Sequence, residues 1–252
     1  MANLAGRHAL VSGGSRGIGR AVATALTGAG AKVTILGRNE DALRSAVDEG
    51  AALDYVAADV TDEIQCRTAI SLAEKRQGPV DILIANAGGV ESAPFGKSGE
   101  QLFRRMFDLN FMSVANTAQA VADGMVARGF GRIVAIASLA GLKGYAYVSA
   151  YCAAKHAAVG LVRALAVEFA GTGVTVNAVC PGYTDTDLVR ESIDKITRKT
   201  GRDREAALAA LFAPDGQERL IAPAEVAEAV LRLCAPGSDN ITGEAVPLYG
   251  RA

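Results

Sequence analysis

Short apolar runs rich in β-branched residues recur along the chain: HALVS (8–12), KVTIL (32–36), LDYVAA (53–58), DILIA (81–85), RIVAIAS (132–138), VTVNAV (174–179) and EAVPL (244–248). Between them lie longer stretches of helical composition, such as IGRAVATALTGAG (18–30) and ALRSAVDEG (42–50). A strand that is apolar throughout has both faces covered, which is the mark of a parallel sheet between two layers of helices. Right-handed crossovers then wind the chain in both directions from its first strand. The expectation is an α/β fold: one doubly wound parallel sheet of about seven strands with helices on both faces. At 252 residues, with no internal repeat and no Pro/Ser/Gly linker, the chain reads as a single domain spanning 1–252. One region breaks the rhythm. From about 187 to 222 the sequence is polar and helical after a strand, as an excursion over the top of the sheet would be.

Two helices stand out. Gln101–Arg128 reads as one long helix. The stretch from Tyr151 to about Gly171 is another, with Ala153, Ala157, Leu161, Leu165 and Phe169 joining Ala154, Ala158, Val162 and Ala166 around its circumference. A helix apolar nearly all round must be buried on all sides, and the outer side of a flanking helix can be buried only by another subunit. A homodimer or homotetramer with two-fold interfaces is expected.

The 26 basic and 27 acidic residues leave a net charge of −1, which argues against a nucleic-acid or membrane-surface partner. Cys66, Cys152, Cys180 and Cys234 are scattered without a C-x-x-C, so they read as free thiols of a reducing compartment and not as a metal site. The beginning of the sequence has no signal-peptide pattern, and runs such as VDILIANAG are too short to span a bilayer. A cytoplasmic location is the expectation.

After the first strand comes SGGSRGIGRA, with Gly13, Gly17 and Gly19 spaced G-x-x-x-G-x-G. A strand, a glycine turn and a helix starting near Ile18 make a phosphate cradle: backbone closes on a pyrophosphate, and the helix N-terminus offers free N–H groups and a positive dipole end. A plain tight turn is the competing reading, but at the first strand–helix junction the pattern points to a single-domain Rossmann fold holding a dinucleotide through Gly13, Ser15, Arg16, Gly17, Ile18 and Gly19. An acidic residue after the second strand would take an NAD ribose hydroxyl. Here Gly37 stands in that place and Arg38 follows. Arg16 and Arg38 around an adenosine ribose suit a 2′-phosphate, because a guanidinium gives a phosphate paired charged hydrogen bonds. NADP(H) is therefore expected over NAD(H), which stays possible, with Glu40 the one nearby charge that would repel a phosphate.

The stretch YCAAK places Tyr151 and Lys155 one turn apart on the same helical face. A lysine beside a phenol favours the phenolate and lowers its pKa, which makes tyrosine a usable general acid–base. A snorkelling lysine on an amphipathic helix is the bland alternative.

With these stretches in order, the sequence resembles the short-chain dehydrogenase/reductase family over essentially its whole length, in particular its 3-oxoacyl thioester reductases. SGGSRGIG is similar to T-G-x-x-x-G-x-G with Ser12 for threonine, and ANAG (85–88) to N-N-A-G with Ala85 first. DVTD (59–62), LNFMS, IASLAG and PGYTDT match the remaining motifs, while the C-terminal GEAVPLYGRA lacks the usual Gly-Gly pair.

The resemblance implies that Tyr151 exchanges a proton with the substrate oxygen as hydride passes to or from nicotinamide, and that Lys155 lowers its pKa and bonds the ribose. It further implies that Ser138 holds the substrate oxygen and that Asn110 holds a water serving Lys155. Asn86, Ala87 and Gly88 would run beside the ribose, Asp59 and Val60 would meet the adenine, and Pro181, Gly182, Thr184 and Thr186 would hold the nicotinamide end. His156 and Cys152 neighbour the pair in sequence but point elsewhere.

An NADP(H)-dependent enzyme acting on CH–OH donors is thus implied, interconverting a ketone and a secondary alcohol. A 3-oxoacyl/3-hydroxyacyl thioester on coenzyme A or a phosphopantetheine arm is the substrate pair the resemblance favours. Arg198, Lys199 and Arg202 of the excursion would then meet the carrier's phosphates, and Leu188 and Ile193 the acyl chain. The alternatives are a dehydrogenase of a neutral steroid, cyclic or sugar alcohol, an epimerase or dehydratase on the same fold, and a dinucleotide sensor without turnover.

Overall fold

The computed structural model describes residues 3–251, without the side chain of Lys199. The chain runs β1 (His8–Ser12), α1 (Gly17–Gly28), β2 (Lys32–Gly37), α2 (Glu40–Asp48), β3 (Asp54–Ala57), α3 (Glu63–Gln77) and β4 (Ile82–Ala85). It continues through α4 (Glu100–Phe107), α5 (Ser113–Arg128), β5 (Gly131–Ile136), α6 (Ser149–Glu168), β6 (Val174–Pro181), α7 (Asp187–Thr200), α8 (Arg204–Phe212), α9 (Pro223–Cys234) and β7 (Ala245–Leu248). All strand pairs are parallel, in the order β3-β2-β1-β4-β5-β6-β7. The order reverses between β1 and β4, and in such sheets ligands bind beyond the carboxyl ends of the strands at that reversal.

The continuous apolar strands follow from two cores. On one face Leu10, Leu83, Ile133 and Val176 pack against α3, α5 and α6. On the other, Ala9, Val11, Ile84 and Val179 pack against α1, α2 and α9. Successive strand side chains point to opposite faces, so covering both faces requires an apolar residue at every position.

One expectation about helices needs correction. Gln101–Arg128 is not one regular helix, because a π-helical turn at Asp108–Met112 separates α4 from α5. Its cause is local: the Asn110 side chain donates to the Met106 carbonyl at 3.0 Å and to the Gly89 carbonyl at 2.9 Å, competing with the backbone for the first of these.

Within one chain α6 is buried on its sheet side only. Its sheet-facing stripe holds Ala154, Lys155, Ala158, Val162 and Ala166, whereas His156, Gly160, Ala164 and Val167 are exposed, Val167 at 78%. By length and composition α6 could cross a membrane, but its packing on the sheet and its buried Lys155 make it a core helix. The four cysteines are buried and unpaired.

Candidate active site

The cradle at the end of β1 is built from backbone. Gly13 and Gly17 lie in the left-handed region at φ 66° and 53°. At Gly19 a Cβ would stand 2.2 Å from the Gly13 carbonyl oxygen, so only glycine lets α1 close on the turn. Arg16 precedes α1 without a capping side chain, and the first turn carries no acidic residue, which leaves its N–H groups to an anion. Ser15, Arg16 and Ile18 lie on this turn as expected. Thr186 reaches it from the far side: its Cγ2 is 3.2 Å from the Cβ position of Gly17.

Ser12 ties the cradle to β4. Its Oγ accepts from the backbone N–H groups of Asn86 and Ala87, each at 3.0 Å. Asn86 Nδ2 returns two bonds, to the Ser12 and Gly13 carbonyls at 2.9 and 3.1 Å.

On the adenosine side, Arg38 is exposed and its Nη1 lies 3.8 Å from Asp59 Oδ2. Asp59 Oδ1 accepts from the Thr61 N–H and hydroxyl at 3.0 and 2.8 Å, so this carboxylate also closes its own turn. The carbonyls of the buried Val60 and of Thr61 accept from Asn116 Nδ2 on α5, at 3.0 and 3.2 Å. Glu40 is occupied by Arg44 at 3.2 Å and by the Tyr55 hydroxyl at 3.3 Å.

Ser138 does not end a strand. It lies two residues past β5 and opens a short 3₁₀ turn, Leu139–Gly141, with its Oγ accepting from the Ala140 N–H at 3.1 Å. The same side chain is hydrogen-bonded to Tyr151. Lys155 is buried, donates to the Ile136 carbonyl at 2.8 Å, and has its Nζ 5.8 Å from the centre of the Tyr151 ring. Gly88 separates Lys155 from Asn110: a Cβ there would be 3.5 Å from Lys155 Nζ and 2.9 Å from Asn110 Oδ1. The π-turn aims that Oδ1 here, where it accepts from the Gly89 N–H at 3.1 Å. Asn110, Ser138, Tyr151 and Lys155 thus converge at the carboxyl end of the sheet.

The electrostatics differ from expectation. In the protein alone Lys155 does not bring the Tyr151 phenol down; burial pushes it up to about 12, with the Ser138 hydrogen bond opposing. Burial also lowers Lys155, to about 8. Desolvation penalises each charged form.

Beyond β6, Gly182 donates to the Leu248 carbonyl at 3.0 Å, and buried Thr184 bonds the Gly182 carbonyl at 3.2 Å. Gln217 clamps the turn: its Oε1 accepts from the Tyr183 N–H at 3.0 Å and its Nε2 donates to the Tyr183 carbonyl at 2.7 Å. Sequence reasoning missed Gln217, Asn116 and the bridging role of Ser12. Each acts on a partner distant in the chain, and only the double glycine at 13–14 gave a local signal, for Gly14, whose Cβ would be 2.4 Å from the Ile35 side chain.

The sequence pattern of the short chain dehydrogenase family matches residues 7–197. An acetoacetyl-CoA reductase of Rhizobium meliloti is 38% identical over 244 residues, covering 97% of each chain. A 3-oxoacyl-(acyl-carrier-protein) reductase of Mycobacterium bovis is 34% identical over 244 residues, covering 97% of this chain and 92% of its own. Among solved structures, an actinorhodin polyketide ketoreductase with NADPH superposes with a TM-score of 0.91 at 34% identity, covering 99% of this chain and 98% of that one. Glycine cradle, parallel sheet, converging side chains and these full-length likenesses agree: the chain belongs to the short-chain dehydrogenase family, as an oxidoreductase acting on CH–OH groups.

Proposed function

We propose that this protein is an NADP(H)-dependent reductase of 3-oxoacyl thioesters, working through Asn110, Ser138, Tyr151 and Lys155. The observation that carries the reading is the Tyr151–Ser138 pair beside buried Lys155, with the phenol held in its protonated form at neutral pH. A protonated phenol is what a carbonyl oxygen needs as hydride arrives at its carbon.

The residues fit a dinucleotide. Gly13, Gly17 and Gly19 let the turn close tightly against Asn86, Thr186 and α1 so that backbone lines the cradle, the α1 N–H groups have no rival acid, and Gly88 lets Lys155 and Asn110 approach one another. When bound, a nicotinamide cofactor supplies or receives the hydride. Ser138 Oγ and the Tyr151 hydroxyl together hold the substrate oxygen and stabilise its developing charge. Tyr151 gives up its proton, and Lys155 stabilises the phenolate left behind. Asn110, fixed by Gly89, holds a water through which Lys155 resupplies the proton.

NADP(H) is favoured by Arg16 and Arg38, both exposed toward the adenosine end, and by Gly37. A Cβ at Gly37 would meet only Leu43, at 3.5 Å, so packing does not force the absence of an acid there. Glu40, paired with Arg44, is withdrawn from opposing a phosphate. The 187–222 excursion would be the lid over the substrate. Of its expected acyl contacts only Leu188 is open, at 40% exposure, while Ile193 is fully buried. The side chain of Lys199 lies outside the described residues.

A neutral ketone is the second reading, favoured by charges satisfied within the lid. Arg190 is bound by Asp185 and Asp187 at 3.0 and 3.4 Å, and Arg198 donates to the Asp194 carbonyl at 3.1 Å. Initial rates with NADPH and NADH on acetoacetyl-CoA, ethyl acetoacetate, cyclic ketones, steroids and sugars decide between the two. The thioester should give the highest kcat/KM, with NADPH. Equal rates on thioester and ester would leave a reductase of neutral ketones, and carbonyl-independent behaviour of bound cofactor would leave neither.

A further inference from the structure

Asp215 follows α8 and has a side chain with no solvent exposure. A buried carboxylate is expensive unless bonded, and this one is bonded across about 70 residues of chain. The Tyr145 hydroxyl donates to its Oδ2 at 2.5 Å, and Lys143 Nζ pairs with its Oδ1 while also donating to the Pro214 carbonyl at 2.7 Å. Lys143 and Tyr145 belong to the loop between Ser138 and α6, which joins the two proposed oxygen-binding groups, Ser138 at its start and Tyr151 in the first turn of α6.

The same loop is fixed elsewhere. Tyr147 is the one non-glycine residue at positive φ among those described, at 66°, and its carbonyl accepts from the Ala93 N–H at 2.8 Å. The end of the excursion is therefore tied directly to the segment that leads into α6, through Asp215 to Tyr145 and Lys143. After Asp215 the chain stays pinned, since Gln217 clamps Tyr183 and the N–H groups of Glu218 and Arg219 donate to the Gly250 carbonyl at 2.7 and 3.1 Å.

We propose that Asp215, Lys143 and Tyr145 form a latch that anchors the returning end of the 187–212 segment to the Ser138–Tyr151 loop, and that Asp215 is thereby a positioning residue for substrate binding. The claim of substrate binding rests on the reductase reading; the anchoring does not. With the latch closed, α7 and α8 move only as a strap between Thr186 and Ala213. With it broken, the strap and the loop separate, and substrate is held less well while the glycine cradle, on the other side of the site, keeps its geometry.

The test uses the NADPH-bound enzyme and the variants Asp215→Asn, Lys143→Met and their combination. Amide hydrogen exchange across 187–212 should quicken about tenfold in Lys143→Met, which leaves a buried carboxylate unpaired, and less in the double variant, which has no charge left to satisfy. The KM for acetoacetyl-CoA should follow the same order, with kcat within about threefold of wild type and cofactor affinity unchanged. Tyr145→Phe should raise KM in the wild-type background but hardly in Asp215→Ala, where the hydroxyl's partner is already gone. Exchange in 187–212 that does not change in any variant would overturn the latch, as would strictly additive effects of Lys143→Met and Asp215→Asn. A wild-type enzyme that reduces no carbonyl would sink the reductase reading while the exchange measurements still judge the anchoring.

Discussion

Ser12 offers the sharpest test of how the cradle is held. Its side chain is buried and accepts two backbone N–H groups at 3.0 Å, joining the end of β1 to the Asn86–Ala87 turn after β4. Ser12→Ala strips both donors of their acceptor. Asn86 and Ala87 are only partly buried, so each orphaned N–H costs near the lower end of the usual range, about 1 kcal/mol, and the pair about 2 kcal/mol. In a chain of this size that is a fall in Tm of about 4–8 °C. Because Asn86 also bonds the Ser12 and Gly13 carbonyls, the glycine turn should loosen with it, and the NADPH Kd should rise several-fold. Ser12→Thr retains the hydroxyl and should stay within about 2 °C of wild type. Differential scanning fluorimetry and a cofactor fluorescence titration make the measurement. An alanine variant with unchanged Tm and unchanged Kd would refute the bridge.

Arg38→Asp removes a phosphate partner and adds a ribose acceptor, and should move the ratio of kcat/KM from NADPH toward NADH; an unmoved ratio would remove the argument from Arg16 and Arg38. Lys155→Met should weaken cofactor binding and raise the pH at which alcohol oxidation appears, because the phenolate loses its neighbouring ammonium; lower activity with the same pH profile would leave Lys155 a structural role only. Light scattering after size-exclusion chromatography should find a dimer or tetramer, and Val167→Glu on the exposed face of α6 should dissociate it, whereas a wild-type monomer at micromolar concentration would defeat the burial argument. His8 is buried, with Nδ1 2.7 Å from the Gly78 carbonyl and Nε2 2.9 Å from Thr34 Oγ1, and burial lowers its pKa below the ordinary 6.5. The unfolded chain then takes up the proton first, so stability is intact above about pH 6.5 and declines as pH falls toward the folded value; Tm measured from pH 7.5 to 5 should fall less steeply in His8→Gln, and parallel slopes would show that His8 is not the group.

What was legible in the sequence was whatever repeats or lies within one turn. The strands announced themselves because each is covered on both faces, and the observed spans differ from the apolar runs by one or two residues at the ends. Tyr151 and Lys155 are one turn apart, and helical geometry alone puts them together. What was not legible depends on partners brought close by the fold. Asn110 breaks its helix by bonding Met106 and Gly89, and periodicity could not distinguish it from any other polar residue in a long helix. Asn116, Gln217 and Asp215 hold loops that are 34 to 70 residues away, and none stands in a recognisable motif. The apolar circumference of α6 was read correctly as composition, yet within one chain half of it faces outward.

The sign of the Tyr151 shift was also out of reach, and it bears on the direction of the reaction. Spacing shows that a lysine neighbours the phenol but says nothing about how dry the site is. Lys155 is buried and Tyr151 half-buried, and partial removal from water drives each toward its neutral form: the phenol up to about 12 and the ammonium down to about 8. At neutral pH the tyrosine therefore enters the cycle as an acid with its proton in place, which serves a carbonyl and obstructs an alcohol. Oxidation requires the phenolate first, and hence either a higher pH or added positive charge beside the ring. Reduction should thus run at neutral pH without prior deprotonation, while the pH profile of oxidation should climb into the alkaline range. On the latch proposal, the loop carrying Tyr145 and the segment anchored at Asp215 would keep water from this site. Loosening that anchor should let water in, lower the phenol and shift the onset of oxidation to lower pH, opposite to the effect of Lys155→Met.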